Sequence, residues 1–212
     1  MEAIRRRCGG FPCPFIVVDI ETTGGKPEYS RIIELSAFKV QNGAISDSTS
    51  SLVNPRMRIP SWITELTGIT NSDVSKSPYI ENILPDFIDF LGDGIFTAHP
   101  VSFDLNFINH ELSRSGMAQI QNDSLCTVRL SRRVYHKERS HSLDHMIPFL
   151  HLDMDPADRH RGYGDAWATS ELLLRCMSIL RSSGLRTFDD LIYFSYLNKA
   201  DSARMLELTD ET

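Results

Sequence analysis

The hydrophobic pattern divides the 212-residue chain into a strand-rich first half and a helix-rich second half. Phe15 to Ile20 (FIVVDI) is a short, continuous apolar run rich in β-branched residues, the signature of a buried central strand. Ile32 to Val40 and Ala44 to Val53 read as two further strands separated by Gln41-Asn42-Gly43, and the Asn-Gly step predicts that they form a hairpin. Pro60 to Leu66 reads as a short helix. From Ile80 to Leu91 apolar residues fall at 80, 83, 84, 87, 88 and 91, the stripe of an amphipathic helix. Ile95 to Ala98 predicts a short strand after Gly94, and Phe103 to Leu112 and Ser142 to Leu150 predict helices. The longest helix is expected over Asp165 to Leu180, with Ala168, Leu172, Leu173, Cys176 and Leu180 along one side. Leu185 to Leu197 is apolar at helical spacing, and the polar end from Lys199 is expected to fray. Strands followed by alternating elements imply an α/β architecture, a mixed sheet flanked by helices.

Composition narrows the classes. The length suits one α/β domain with a short appendage: residues 1–184, with a core over about 15–180, and a helical appendage and tail over 185–212. With 41% hydrophobic and 24% charged residues the chain is an ordinary globular one, neither disordered nor fibrous. No apolar run approaches the ~20 residues of a membrane-spanning helix. Met1 to Gly10 has arginines but no apolar stretch behind them resembling a signal peptide, so a cytoplasmic location is expected, with no membrane partner. Of four cysteines only Cys8 and Cys13 are near each other, and reduced thiols are a better reading there than a zinc pair. A net charge of −6 argues against coating nucleic acid through a broad basic surface. Nucleic acid stays open as a substrate, because bound divalent cations can supply positive charge locally.

The chemistry begins at Asp19-Ile20-Glu21-Thr22-Thr23-Gly24. Side chains alternate across a strand, so Asp19 and Glu21 share a face at the end of a buried strand and repel each other unless a cation lies between them. Thr-Thr-Gly then predicts a tight turn whose free backbone N–H groups and hydroxyls suit a phosphate or sugar at close range. A third carboxylate, Asp104, falls in the first turn of a helix for which Ser102 is the expected N-cap, and the helix dipole favours its ionised form. A fourth, Asp165, opens the longest helix on the side that continues through Thr169, Leu172 and Cys176, facing the sheet; an inward carboxylate calls for a metal or a charged partner. His160 lies on a Gly-containing loop just before it, within reach of the same site.

Together these pieces resemble the DEDDh exonucleases, the group containing the proofreading subunit of bacterial DNA polymerase III, the exonuclease domain of the Gram-positive replicative polymerase, and ribonuclease T. The first motif matches as Asp19, Glu21, Thr22, Thr23 and Gly24; the second as His99, Phe103 and Asp104; the third as His160 and Asp165. Leu66-Thr67-Gly68-Ile69-Thr70 resembles the family's segment beside the terminal nucleotide. Pro100 departs from the pattern, since many members carry Asn after the histidine. The resemblance covers roughly Phe15 to Leu180. It implies an RNase H-like fold with a five-stranded mixed sheet, and 3′→5′ removal of nucleotides from DNA or RNA ends.

The expected mechanism uses two Mg²⁺ ions, or Mn²⁺ in their place, about 3.5–4 Å apart on Asp19, Glu21, Asp104 and Asp165, because hard cations prefer carboxylate oxygen. His160 is the expected general base. Leu66 and Phe103 are candidates to wedge or stack against terminal bases, and Thr22, Thr23, Gly24, Thr67 and His99 complete the expected substrate contacts. The alternative is a non-catalytic adaptor or binding subunit of a polymerase assembly. The sequence leaves oligomeric state, and DNA against RNA, open.

Overall fold

The computed structural model describes residues 13–207. Cys8, and with it the Cys8–Cys13 pairing, lies outside them. Three strands come first: β1 (Phe15–Thr22), β2 (Ile32–Gln41) and β3 (Ala44–Leu52). β2 pairs antiparallel with both neighbours, and Asn42 and Gly43 take φ of 56° and 80° at the hairpin, the left-handed pair that a tight twisted turn requires. Then β4 (Ile95–Ala98) and β5 (Ser124–Cys126) join in parallel, giving the order β3-β2-β1-β4-β5. The sheet is therefore mixed and five-stranded, with β1 at its centre.

The period of two along β1 divides the interior into two layers. Phe15 and Val17 point to a cluster that includes Leu172, Cys176 and Leu180 of α7 (Gly162–Ser182). Ile16, Val18 and Ile20 point the other way, onto Leu84, Phe87 and Leu91 of α3 (Ile80–Leu91) and Phe107, Ile108 and Leu112 of α4 (Val101–Arg114). Burial of these side chains is the main drive for the fold, at roughly 1.5–3 kcal/mol for each fully buried one. A smaller cluster of Ile33, Ile59, Ile63, Ile69 and Val74 holds α1 (Ser61–Thr67) and the one-turn α2 (Asn71–Val74) beside β2. None of the helices among the described residues is long and apolar enough to cross a membrane.

Several elements differ from the expected ones. α4 begins at Val101 with Pro100 in the N-cap position, so Ser102 lies inside the helix and caps nothing. β5 and α5 (Thr127–Val134) were not foreseen: a three-residue strand is too short to show a period, and α5 carries arginine at three of its eight positions. α6 (Leu143–Phe149) and α8 (Phe188–Tyr196) fall inside their expected ranges. The end expected to fray from Lys199 instead carries α9 (Lys199–Glu207), because the Asn198 side chain accepts from the Asp201 N–H at 2.9 Å, and Met205 and Leu206 pack on the α7 layer. Leu191 and Phe194 of α8 are buried in that same layer, so the segment after Gly184 shares the core of the sheet.

Candidate active site

β1 outruns its parallel neighbour: pairing with β4 ends at Val17, while β1 continues to Thr22. The strand end beyond that pairing carries Asp19 and Glu21 on the α7 face, and α7 brings Asp165 to them from its first turn. One oxygen from each of Asp19, Glu21 and Asp165 lies within 4.8 Å of the others. Asp104 arrives from the opposite layer. Its Oδ1 accepts the Ile20 N–H at 3.2 Å, taking the place of a β4 carbonyl, and it raises the proton affinity of Asp19 from across the strand end. The structure thus gathers three acids tightly and sets the fourth on the backbone between the first two.

The crowding has an electrostatic signature. Burial pushes Glu21 up to about 8, assisted by Asp165, Glu34 and Asp104. Burial also pushes Asp104 up to about 8, against hydrogen bonds from its own backbone and Ile20. Asp19 is raised well above the usual carboxylate range by burial and then by Asp104, Asp165 and Glu21, with Arg159 opposing. Asp165 is raised by burial, while Arg159 and His160 pull it down. Buried carboxylates this close cannot all ionise without cationic charge among them. Asp165 Oδ1 is itself buried without a hydrogen-bond partner. A hard, oxygen-preferring divalent cation fits this donor set, which contains neither sulfur nor imidazole.

A brace at the start of α7, unseen in the sequence reading, holds the acids in place. Glu34 of β2 sits opposite Glu21 and is buried, and its carboxylate receives Arg161 Nε at 3.1 Å, Arg161 Nη2 at 2.9 Å and the Gly162 N–H at 2.9 Å. Arg159 donates to Asp165 and to Asp144 of α6, the latter from Nη2 at 2.7 Å. Between these anchored arginines His160 is held at φ 60°, a left-handed conformation that costs a non-glycine residue about 1–2 kcal/mol. The half-buried His160 lies close enough for its charge to be felt at Asp165, but it does not line the neighbouring cleft. Gly164 is needed for close approach, since a Cβ there would lie 2.1 Å from the Asp158 carbonyl oxygen. The clue to this brace was Glu34 itself: a charged residue in an apolar strand needs a partner.

The expected substrate contacts divide into two groups. The Thr22 hydroxyl donates to the Gly24 carbonyl at 2.8 Å, and the Thr23 hydroxyl accepts the Arg31 N–H at 3.0 Å. The Thr23 N–H is also used, by the Arg31 carbonyl, so this turn offers neither of the hydroxyls expected to be free. Gly24 lets Ser30 approach, whose Oγ lies 2.8 Å from where a Cβ would stand. Thr67 is 4% exposed, with its hydroxyl donating to the Ile63 carbonyl and accepting from Ile69, whereas Leu66 is 48% exposed. Phe103 is partly buried, its ring centroid 4.9 Å from that of Phe107. His99 links three segments. Its Nε2 bonds the His141 carbonyl at 2.7 Å, which requires an N–H there, and its Nδ1 meets the Thr127 hydroxyl at 2.9 Å. Burial pushes His99 down to about 4, so with its proton on Nε2 the neutral ring's Nδ1 shares the single Thr127 hydroxyl proton with the Ala98 carbonyl, which lies 2.9 Å from the same hydroxyl.

A cleft of about 550 Å³ opens beside the acids, lined by Asp19, Asp165 and Arg159. Arg132, Arg139, His141, His99 and Pro100 also line it.

Comparison with known proteins places this geometry. The exonuclease family model, that of ribonuclease T, matches residues 16–173. The DNA polymerase III subunit epsilon of Aquifex aeolicus is 36% identical over 166 residues, 78% of this chain and 81% of that protein. The PolC-type DNA polymerase III of Caldanaerobacter subterraneus is 35% identical over 177 residues, 84% of this chain but 12% of that much longer protein. Among solved structures, Exonuclease X in complex with 5′ overhanging duplex DNA aligns with a TM-score of 0.64 at 23% identity, covering 84% of this chain and 99% of that one. The nuclease domain of 3′hExo, a DEDDh family member bound to rAMP, aligns at 0.68 and 20%, covering 79% and 93%. At those identities the structures speak for the fold alone. The family match runs from β1, with its carboxylate pair, into α7, which brings the last acid, and the chain accordingly belongs to the DEDDh-type 3′–5′ exonucleases, a family of hydrolases.

Proposed function

We propose that Asp19, Glu21, Asp104 and Asp165 hold two divalent cations, Mg²⁺ or Mn²⁺, and that the protein hydrolyses the terminal phosphodiester at the 3′ end of DNA or RNA to release nucleoside monophosphates. The observation that carries this reading is the meeting of Asp19, Glu21 and Asp165 oxygens within 4.8 Å at a strand end beside an open cleft. Bound there, such cations would make water more acidic and neutralise the charge that grows on the phosphoryl oxygens and the departing 3′ oxygen. His160 accepts the proton of the attacking water, and its arginine brace limits the ring's wandering. His99 stays neutral and ties the lining of the cleft together through His141 and Thr127. Leu66 offers an exposed apolar side chain to a terminal base, while Thr22, Thr23, Gly24, Thr67 and Phe103 give shape to the surface around it. A role in proofreading or repair, with a polymerase as partner, is supported by the likeness to the Aquifex aeolicus epsilon subunit, most of whose length the chain covers.

The test is a time course on 5′-labelled single-stranded DNA and RNA with Mg²⁺, with Mn²⁺ and with EDTA. A ladder shortening from the 3′ end, abolished by EDTA and strongly slowed by a 3′-phosphate, is the expected result. Equal rates on blocked and free 3′ ends, or full activity in EDTA, would overturn the reading.

A further inference from the structure

Part of the lining of the cleft beside the acids has an unusual charge for this chain. Between residues 129 and 139 stand Arg129, Arg132, Arg133, Lys137 and Arg139 against the single acid Glu138, in a protein whose net charge is −6. Glu138 is hydrogen-bonded to His145 Nε2 at 2.8 Å, and its single negative charge is felt at His141 against that of Arg132. α5 buries Leu130, Ser131 and Val134, which leaves Arg132 exposed while Arg129 and Arg133 are half-buried. Arg129 is occupied over the ring of Tyr196, 4.1 Å from its centroid. Arg132 and Arg139, by contrast, are exposed, line the cleft beside Asp19 and Asp165, and form no ion pair among the described residues. The positive charge of Arg132 is felt at both His99 and His141, where it disfavours protonation. His141, also on this wall, has its Nδ1 buried without a partner.

A cluster of acids repels the phosphates of any strand that approaches it, so unpaired cations lining the same cleft need an anion of their own. If the 3′-terminal nucleotide lies at the carboxylates, every remaining phosphate of the strand lies on the 5′ side of the scissile bond. We propose that Arg132 and Arg139, with His141 beside them, form a subsite for the backbone phosphates immediately 5′ of the scissile bond in a single-stranded polynucleotide. This assignment rests on the exonucleolytic reading above. It makes the wall a positioning device: it holds the strand and makes no contact with the reacting atoms. Phosphate contacts carry no base information, so the subsite serves DNA and RNA alike.

The experiment compares a short single-stranded oligothymidylate with the p-nitrophenyl ester of thymidine 5′-monophosphate, which has a scissile phosphate and no strand beyond it. For the Arg132→Gln/Arg139→Gln double variant the ratio of kcat/KM, strand over ester, should fall about tenfold, mostly through KM, as expected for two charge-assisted contacts at a solvated surface. Its slope of log(kcat/KM) against log[salt] should flatten by about 1.4, or ~0.7 for each phosphate released from a single strand. The Arg132→Lys/Arg139→Lys variant, which keeps the charge, should recover most of the ratio. An unchanged ratio and slope, or equal losses on strand and ester, would overturn the subsite. Anisotropy of the labelled oligonucleotide in EDTA separates the two readings. A wild type that cleaves neither substrate sinks the nuclease reading, yet weaker binding by the Gln variant in that case would still uphold the subsite.

Discussion

The cleft brings together two groups of opposite charge in opposite physical settings. The acidic wall carries Asp19 and Asp165, with Glu21 and Asp104 beside them, on β1 and the first turns of α4 and α7, each fixed by regular backbone; Asp104 and Asp165 are buried and Asp19 and Glu21 half-buried. The basic wall is built from exposed arginines on a short helix and the segment after it. Burial makes charge expensive and geometry exact to a fraction of an ångström, which suits chemistry at one bond. Exposure makes charge cheap, mobile and salt-screened, which suits a backbone that must slide one nucleotide per cycle. A change on the first wall should therefore register in kcat, and a change on the second in KM and salt dependence.

The largest expected effect comes from the acidic wall. Asp165→Asn or Asp19→Asn should reduce cleavage to background, on both strand and ester, while raising the melting temperature in EDTA, because a buried repulsion has been removed. A folded Asp165→Asn protein with ordinary turnover would dissolve the distinction between the walls. His160→Ala should follow, lowering single-turnover kcat by ~10²–10⁴-fold with little change in strand affinity. A rate within about threefold of wild type would remove His160 from the chemistry and leave its left-handed backbone unexplained.

The smallest effect is on stability. The raised proton affinities of Glu21 and Asp104, both at about 8, mean that in EDTA the native state binds more protons than the unfolded chain between the ordinary carboxylate range and that value. Their stabilising contribution is complete at low pH and is lost as pH rises through about 8. The melting temperature in EDTA should consequently fall between about pH 5 and about pH 8 and level off above that, with each such proton worth at most about 1.4 kcal/mol per pH unit. Saturating Mg²⁺ or Glu21→Gln should flatten that slope, and Arg132→Gln should leave it in place. A melting temperature in EDTA that rises over this interval would contradict the crowding on the acidic wall.

How far the site could be read from the sequence differs between the same two walls. Asp19 and Glu21 were legible because a strand has a period of two and the apolar run around them left no doubt about the strand. Asp165 was legible from the helical stripe it shares with Thr169, Leu172 and Cys176, all of which are buried. The hydroxyls of Thr22 and Thr23 were misjudged, because both are used within the turn by partners, Gly24 and Arg31, that the motif alone does not reveal. α5 went unread for a related reason: its register against α7 is set by four buried positions, Thr127, Leu130, Ser131 and Val134, only two of which are apolar.

The sequence by itself determined the local periods: a central apolar strand ending in two same-face carboxylates, an Asn-Gly hairpin, and a long helix opening on an acid. Those are short-range properties, fixed by pleat, helical repeat and turn sterics within a few residues. Only the tertiary structure decided that Asp104 would rest on the Ile20 amide, 84 residues away along the chain. Only it paired Glu34 with Arg161 across 127 residues, and set Arg132 and Arg139 in the same cleft as Asp19. Such contacts depend on which layers pack on which face of the sheet, and that is settled by burial summed over the whole chain, which no single motif encodes.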